Sequence, residues 1–238
     1  MLRHLFHGRY FSTNDIKVGI YFIATPIGNM SDISERALQI LRGVDVICAE
    51  DTRHSLQLLR HFKIPPKRLV SHHEHNYKEK VPQILSLLKD HKSIAVITDA
   101  GTPGISDPGV QLATACHDEG ISPVPIPGPS AVIAALSISG FDAVPFTFFG
   151  FIPPKSKPRR LLLDKIATTY HTIVLYEAPH RVIQTIQDLI SAHGVSRMCC
   201  CCREITKVHE ETFRGTLHEV LAWLQNKKEV STSLFKVY

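Results

Sequence analysis

Short apolar runs that end in glycine- and proline-bearing loops and then give way to helical spacing recur along this chain, and that rhythm constrains its fold more than any other feature. Residues 18–24 form the first run, closed by Thr25-Pro26-Ile27-Gly28-Asn29, after which Ile33, Ala37, Ile40 and Leu41 recur at helical spacing. Asp32 with Glu35 three residues on resembles a capping box, with Ser31 as the alternative cap. Residues 44–49 lead in the same way into a helix from about Thr52, and residues 94–98 into a loop and a helix near Gly109. A further run at 121–126 is closed by Pro127-Gly128-Pro129-Ser130 and followed by a small-residue helix over 131–139. Strands alternating with helices imply an α/β fold with a largely parallel sheet.

At about 150 residues per domain, 238 residues with 44% hydrophobic side chains suit two small domains better than one large one. The first is expected over 18–139. A turn-rich break near 138–145 serves as linker, and a second domain over 146–238 has strands at 146–149, 172–176 and 198–202. Residues 1–17 are an extension. Its first 14 carry Arg3, His4, His7 and Arg9 and no acid, which reads either as a mitochondrial transit peptide or as a plain bacterial N-terminus, so the compartment is the matrix or the cytoplasm. No apolar run approaches the roughly 20 residues that span a bilayer, so no membrane is expected as a partner. The net charge of +5 permits an RNA partner without requiring one. Of six cysteines, Cys199 to Cys202 are consecutive, unlike a secreted disulfide framework, and a reducing compartment fits them.

The stretch Asp99-Ala100-Gly101-Thr102-Pro103-Gly104-Ile105-Ser106-Asp107-Pro108-Gly109 follows an apolar strand and precedes a helix, the position where open α/β sheets bind ligands. Its glycines let backbone approach a ligand closely. Asp99 at the strand tip suits ribose hydroxyls or an ammonium group. A loop merely shaped by glycine and proline is the competing reading. The stretch lacks the ending of a P-loop, and no G-x-G-x-x-G follows the first strand, which weakens nucleoside triphosphate and NAD alike. Loops at 25–29, 127–130 and 178–180 also lie beyond apolar runs and are expected to converge on one crevice. His72, His73, Glu74 and His75 lack metal-ligand spacing, so no metal is expected, and Cys199 with Cys202 lacks the second pair of a zinc site. Glu50, Arg53 and His54 follow the second strand, and Glu177, His180 and Arg181 a strand of the second domain. Catalysis or structural ion pairing accounts for either group. Lys155, Lys157, Arg159 and Arg160, set among Pro153, Pro154 and Pro158, read as an exposed basic loop, either solvated or holding phosphates.

Taken in order, IATPIGNMSDISERAL, AEDTRHS, SHHEHN, ITDAGTPGISDPG, PIPGPSA, GFIPPK, YEAPHR and REITKVHEE closely resemble the bacterial 16S rRNA (cytidine 2′-O) methyltransferases of the tetrapyrrole-methylase superfamily, over residues 18–219. The resemblance implies two α/β domains of the class III S-adenosylmethionine methyltransferase type with the ligand cleft between them. It further implies S-adenosylmethionine as methyl donor, small-subunit ribosomal RNA rather than DNA as substrate, and a homodimer. By it Asp99, Gly101, Thr102 and Ile105 contact the donor, Ser130 and Ala131 complete the site, and Pro26 lies near. Glu177 or Glu50 is then expected as base or orienting group, with Arg53 and Arg181 gripping phosphate. The AEDTRHS and YEAPHR motifs favour this over methylation of a tetrapyrrole or other small molecule. Residues 229–238 do not match the strand expected to close the second domain, so that domain reads as truncated, which also keeps a non-catalytic donor-binding relative in view.

Overall fold

The computed structural model describes residues 16–107, 109–227 and 235–237, so the basic N-terminal segment lies outside the described residues. By its contacts the chain divides into two compact units, Met1–Pro129 and Ser130–Tyr238.

In the first unit β1 (Gly19–Ile23), β2 (Val46–Ala49), β3 (Arg68–Ser71), β4 (Ser93–Ile97) and β5 (Val124–Ile126) alternate with α1 (Glu35–Gly43), α2 (Thr52–His61), α3 (Tyr77–Lys89) and α4 (Gly109–Asp118). The strands form one parallel sheet in the order β3-β2-β4-β1-β5. Side-chain alternation gives it two apolar faces. Ala95 and Ile97 of β4 join Ile40, Leu41 and Leu58 from α1 and α2, while Ile94 and Val96 join Ile84, Leu88 and Leu112 from α3 and α4. Each such aliphatic side chain contributes about 1.5–3 kcal/mol when fully buried, which is why these strands read as unbroken apolar runs. β4 lies between β2 and β1, yet its following helix covers the opposite face from theirs. The loop leaving β4 therefore diverges from both neighbouring loops and opens a crevice at the carboxyl end of the sheet. One start is displaced: Met30–Asp32 is a 3-10 turn, and α1 is capped by Ser34, whose hydroxyl accepts from the Ala37 N–H at 3.2 Å. Neither Asp32 nor Ser31 caps α1, because Ile33 and Ser34 are extended.

The second unit runs α5 (Ala131–Ile138), β6 (Phe146–Phe151), α6 (Ser156–Ala167), β7 (Thr172–Glu177), α7 (Val182–His193), β8 (Met198–Arg203), β9 (Glu211–Thr216), α8 (Leu217–Gln225) and β10 (Phe235–Val237). Its sheet, β6-β7-β10-β8-β9, is mixed: β6 and β7 are parallel, and β10 is antiparallel to both β7 and β8. The sequence shows no closing strand in residues 229–238, whereas the fold sets β10 between β7 and β8, with residue 235 opposite Glu177 and residue 236 opposite Cys202. A three-residue strand is too short to show a period. α5 packs Val132 and Leu136 on Val174 and Tyr176, so contacts divide the chain after Pro129, ahead of the 138–145 linker read from the sequence. The four consecutive cysteines alternate faces in β8. Cys199 and Cys201 enter the core under α6, α7 and α8, and Cys200 and Cys202 pack with Ala135. They are buried thiols not joined in disulfides, acting as small apolar side chains.

Candidate functional site

Backbone hydrogen bonds tie the loops at the carboxyl end of the first sheet together. Thr25 N–H donates to the Gly101 carbonyl at 2.9 Å and Gly101 N–H returns a bond to Thr25 at 3.1 Å, clasping the β1 and β4 loops. The Thr25 hydroxyl donates to the Thr98 carbonyl, and that of Thr102 to the Pro129 carbonyl, each at 3.1 Å, which draws in the loop after β5. Gly101 has φ +92°, and a Cβ there would stand 3.5 Å from Ile27 Cγ2 and 4.0 Å from the Pro129 oxygen. A Cβ would thus meet the neighbouring loops in ordinary van der Waals contact, and it is the positive φ that favours glycine here. Asp107 Oδ1 accepts from the N–H groups of Gly104 (2.6 Å) and Gly109 (2.8 Å), folding the β4 loop back onto the start of α4.

Carboxylates rim this crevice. Glu50 Oε2 accepts from the Thr98 hydroxyl at 2.8 Å and from Asp99 N–H at 3.4 Å, leaving Oε1 without a partner among the described residues. Asp99 Oδ1 accepts from Asp51 N–H at 3.1 Å and lies 3.7 Å from His54 Nδ1. Burial, reinforced by the negative charge of Glu50, pushes the Asp99 carboxyl above the ordinary carboxylate range. Arg53 turns to Asp51 instead, with Nη2 to Oδ2 at 2.8 Å, and holds that carboxyl at about 2. A small cavity is bounded by Thr25, Pro26, His54, Ser55, Thr98 and Asp99.

Glu177, the last residue of β7, is fully buried. Oε1 accepts from Ala178 N–H and Arg181 Nη2 at 2.8 and 2.7 Å, Oε2 accepts from the Thr185 hydroxyl at 2.5 Å, and Arg159 Nη1 stands 3.8 Å away. Arg159 bonds Asp188 with Nε at 2.7 Å and Nη2 at 2.6 Å, and Thr185 at 2.9 Å. The basic cluster expected as a loop is therefore the start of a helix. Lys155 caps α6 and the other three fall within its first turn and a half, because the prolines sit at the helix start, where a missing N–H costs nothing. Arg159 is committed inward, while Lys155, Lys157 and Arg160 have no ion pair among the described residues.

The structure thus brings Pro26, Glu50, Asp99, Gly101 and Thr102 to one sheet end, with Arg53 and half-exposed Ile105 at its margin. Glu177, Arg181 and Arg159 form a separate group in the second unit. Ser130 and Ala131 open α5 there, the Ser130 hydroxyl making no cap bond. His54, grouped in the sequence with Glu50 and Arg53, does reach Asp99, whereas Asp107 and Thr25 stood there only as members of their loops, without a role of their own. The Asp two residues before Gly109 carried a turn signal, whereas the reciprocal Thr25–Gly101 bridge has none in a linear sequence. His72 is buried with Nε2 unbonded. Among the described residues no group of three or more His, Cys, Asp or Glu is disposed to hold a metal ion, and no helix is long and apolar enough to cross a membrane.

The family profile described as Tetrapyrrole (Corrin/Porphyrin) Methylases matches residues 19–221. A "Ribosomal RNA small subunit methyltransferase I" of Synechocystis sp. is 46% identical over 204 residues, covering 86% of this chain and 73% of that protein. Proteins of the same name from Escherichia coli O157:H7 and Thermotoga maritima are each 43% identical, over 87% and 88% of this chain and 72% and 93% of theirs. In fold the chain resembles a diphthine synthase, with TM-score 0.69 and 13% identity over 92% of this chain and 88% of that one. It also resembles a uroporphyrin-III-C-methyltransferase from Thermus thermophilus, with TM-score 0.63 and 17% identity over 93% and 94%.

Proposed function

The chain belongs to the tetrapyrrole (corrin/porphyrin) methylase family, and from that premise we propose that it transfers a methyl group from S-adenosylmethionine to the 2′-oxygen of a cytidine ribose in small-subunit ribosomal RNA. The observation that carries the reading is the crevice around Asp99, where a raised carboxyl and a side-chain-free Gly101 stand where open sheets receive ligands. The names of relatives 43–46% identical supply the RNA.

Bound S-adenosylmethionine supplies an already activated methyl on a sulfonium, so transfer asks the protein chiefly for orientation. Asp99 accepts from the donor's ammonium or ribose hydroxyls. Gly101 and Thr102 admit it to the backbone, Pro26 walls the site, Ile105 offers apolar surface, and Ser130 and Ala131 contribute from the start of α5. Glu50 Oε1, the free oxygen of a carboxylate held by Thr98, takes the proton of the ribose hydroxyl. Glu177 is enclosed by its donors and serves as the orienting group for Arg181. Arg53 and Arg181 hold phosphates near the reacting ribose, and Lys155, Lys157, Arg159 and Arg160 belong to the RNA-facing surface.

The test is incubation with methyl-labelled S-adenosylmethionine and unmodified small ribosomal subunits, followed by nuclease digestion. Label on a cytidine 2′-oxygen is expected; label on a base, or none despite measurable donor binding, overturns the reading. Glu50→Gln should lower the rate at saturating substrates by about 10²-fold or more with donor affinity kept, and an undiminished rate removes Glu50 as base.

A further inference from the structure

The second unit contains a cleft of about 850 Å³ between α6 and α7, walled by Arg159, Arg160, His180, Arg181, Gln184 and Asp188. Of the acids at it, Asp164 lines the cleft with no partner among the described residues, whereas the other two are occupied by internal donors. Asp188 gives Oδ2 to Arg159 and Oδ1 to Gln184 Nε2 at 3.0 Å, and both oxygens of buried Glu177 are taken. The arginines keep donors in reserve. Among the described residues Arg181 Nη1 makes no hydrogen bond, Arg181 Nε is buried and unbonded, Arg159 Nη1 has only the Glu177 oxygen 3.8 Å away, and exposed Arg160 and His180 have no partner. α6 begins at the rim with Ser156. No acid stands in its first turn and Lys155 provides no side-chain cap, so its first N–H groups also favour an anion.

We propose that this α6–α7 cleft binds phosphodiester groups of the RNA substrate, with Glu177 as a positioning residue that holds Arg181, and Asp188 as the acid that holds Arg159, in a fixed fork toward it. The proposal rests on the RNA reading above and gives it a place. A planar guanidinium pinned on one edge presents its other edge rigidly, the geometry that two phosphate oxygens accept. Were the network structural alone, its donors would end within it. Instead Arg160 and His180 continue the row of donors beyond the last internal acceptor.

Binding of an unmodified small-subunit ribosomal RNA transcript to the full chain, measured across a salt series, tests this. Arg160→Ala and His180→Ala lie outside the Glu177 network, so they should fold normally. Loss of the Arg160 charge lowers the slope of log affinity against log salt by about one, loss of the His180 hydrogen-bond donor weakens RNA affinity, and donor affinity stays unchanged in both. Glu177→Gln should raise KM for RNA and reduce the salt slope while leaving the rate at saturating RNA unaltered, a split that lost stability alone does not produce. An unaltered slope and affinity in Arg160→Ala together with unaltered RNA affinity in His180→Ala and Arg181→Lys, with the parent chain still binding RNA, overturn the cleft and spare the RNA reading. A Glu177→Gln variant that loses rate at saturating RNA with KM unchanged makes Glu177 part of the chemistry and overturns its positioning role. A parent chain that binds the donor and shows no salt-dependent RNA affinity overturns the RNA reading itself, and the cleft with it.

Discussion

Glu50 and Glu177 stand at equivalent places, each at the carboxyl tip of a strand, yet their surroundings treat them in opposite ways. Beyond β2, α2 offers Glu50 no cation, because Arg53 is drawn off by Asp51. Glu50 meets only the neutral Thr98 hydroxyl and the Asp99 N–H, and keeps one oxygen open. Beyond β7, the 3-10 turn Pro179–Arg181 and helices α6 and α7 deliver Arg181, Arg159 and Thr185, which close over Glu177 completely. A carboxylate with neutral, partial bonding can exchange a proton. One saturated by two guanidiniums acts only through them. The first unit thus keeps carboxylates with open oxygens on a crevice shaped by backbone, and the second keeps its charges in a framework.

The largest expected effect tests the closed member of the pair. Glu177→Ala leaves two arginines over an uncompensated buried site and should cost about 3–5 kcal/mol of stability, read as a lower midpoint in urea unfolding. Glu50→Ala, half-exposed and without an ion pair, should cost far less. Equal losses would dissolve the contrast.

Next comes Asp99→Asn. Removing a charge-assisted acceptor is worth about 1.5–3 kcal/mol, so donor affinity should fall roughly 10- to 150-fold, with the unfolding midpoint little changed. A large shift in midpoint would mean that Asp99 belongs to a structural network like that of Glu177.

A smaller effect tests the claim that backbone shapes the first site. At Gly109 a Cβ would stand 2.6 Å from the Gly104 nitrogen and 3.0 Å from Asp107 Oδ1, so Gly109→Ala must push apart the staple that closes the β4 loop. Overpacking of this kind costs about 1–3 kcal/mol, and donor affinity should fall with it. A variant with unchanged affinity would show that the loop can relax without disturbing the crevice.

The two sites were unequally legible in the sequence for physical reasons. The parallel sheet of the first unit is buried on both faces, so its main strands stand out as apolar runs, and Asp99, Gly101 and Thr102 follow one of them directly. Chain-neighbour logic finds such a site because strand, loop and helix are consecutive. It missed β3, which is only four residues long and begins with exposed Arg68. It also missed α6, whose first turn and a half looks like a proline-rich basic loop. The Glu177 cluster assembles Arg159, Glu177, Arg181, Thr185 and Asp188 from two helices, a strand and a 3-10 turn, and the step from Arg159 to the rest carries no local period. Its charges were visible as candidates, but not their pairing, which decides what each can do.

The smallest effect separates affinity from stability at Asp99. Its folded carboxyl titrates above its ordinary value of 3.8 because burial and Glu50 disfavour the charged form. The folded state therefore binds this proton more readily than the unfolded one. The contribution to stability is fully present below 3.8 and is lost as pH rises through the raised folded value. Donor affinity should run the other way. Protonation removes the acceptor, so affinity should fall as pH is lowered through the same raised value, while Asp51, held at about 2 by Arg53, remains charged throughout that window. Donor titrations carried downward in pH from neutrality toward 3.8 should show this loss in the parent chain, and a flatter profile in Asp99→Asn. Parallel profiles in the two chains would assign the loss to another group and leave Asp99 without the open character that sets the first site apart from the second.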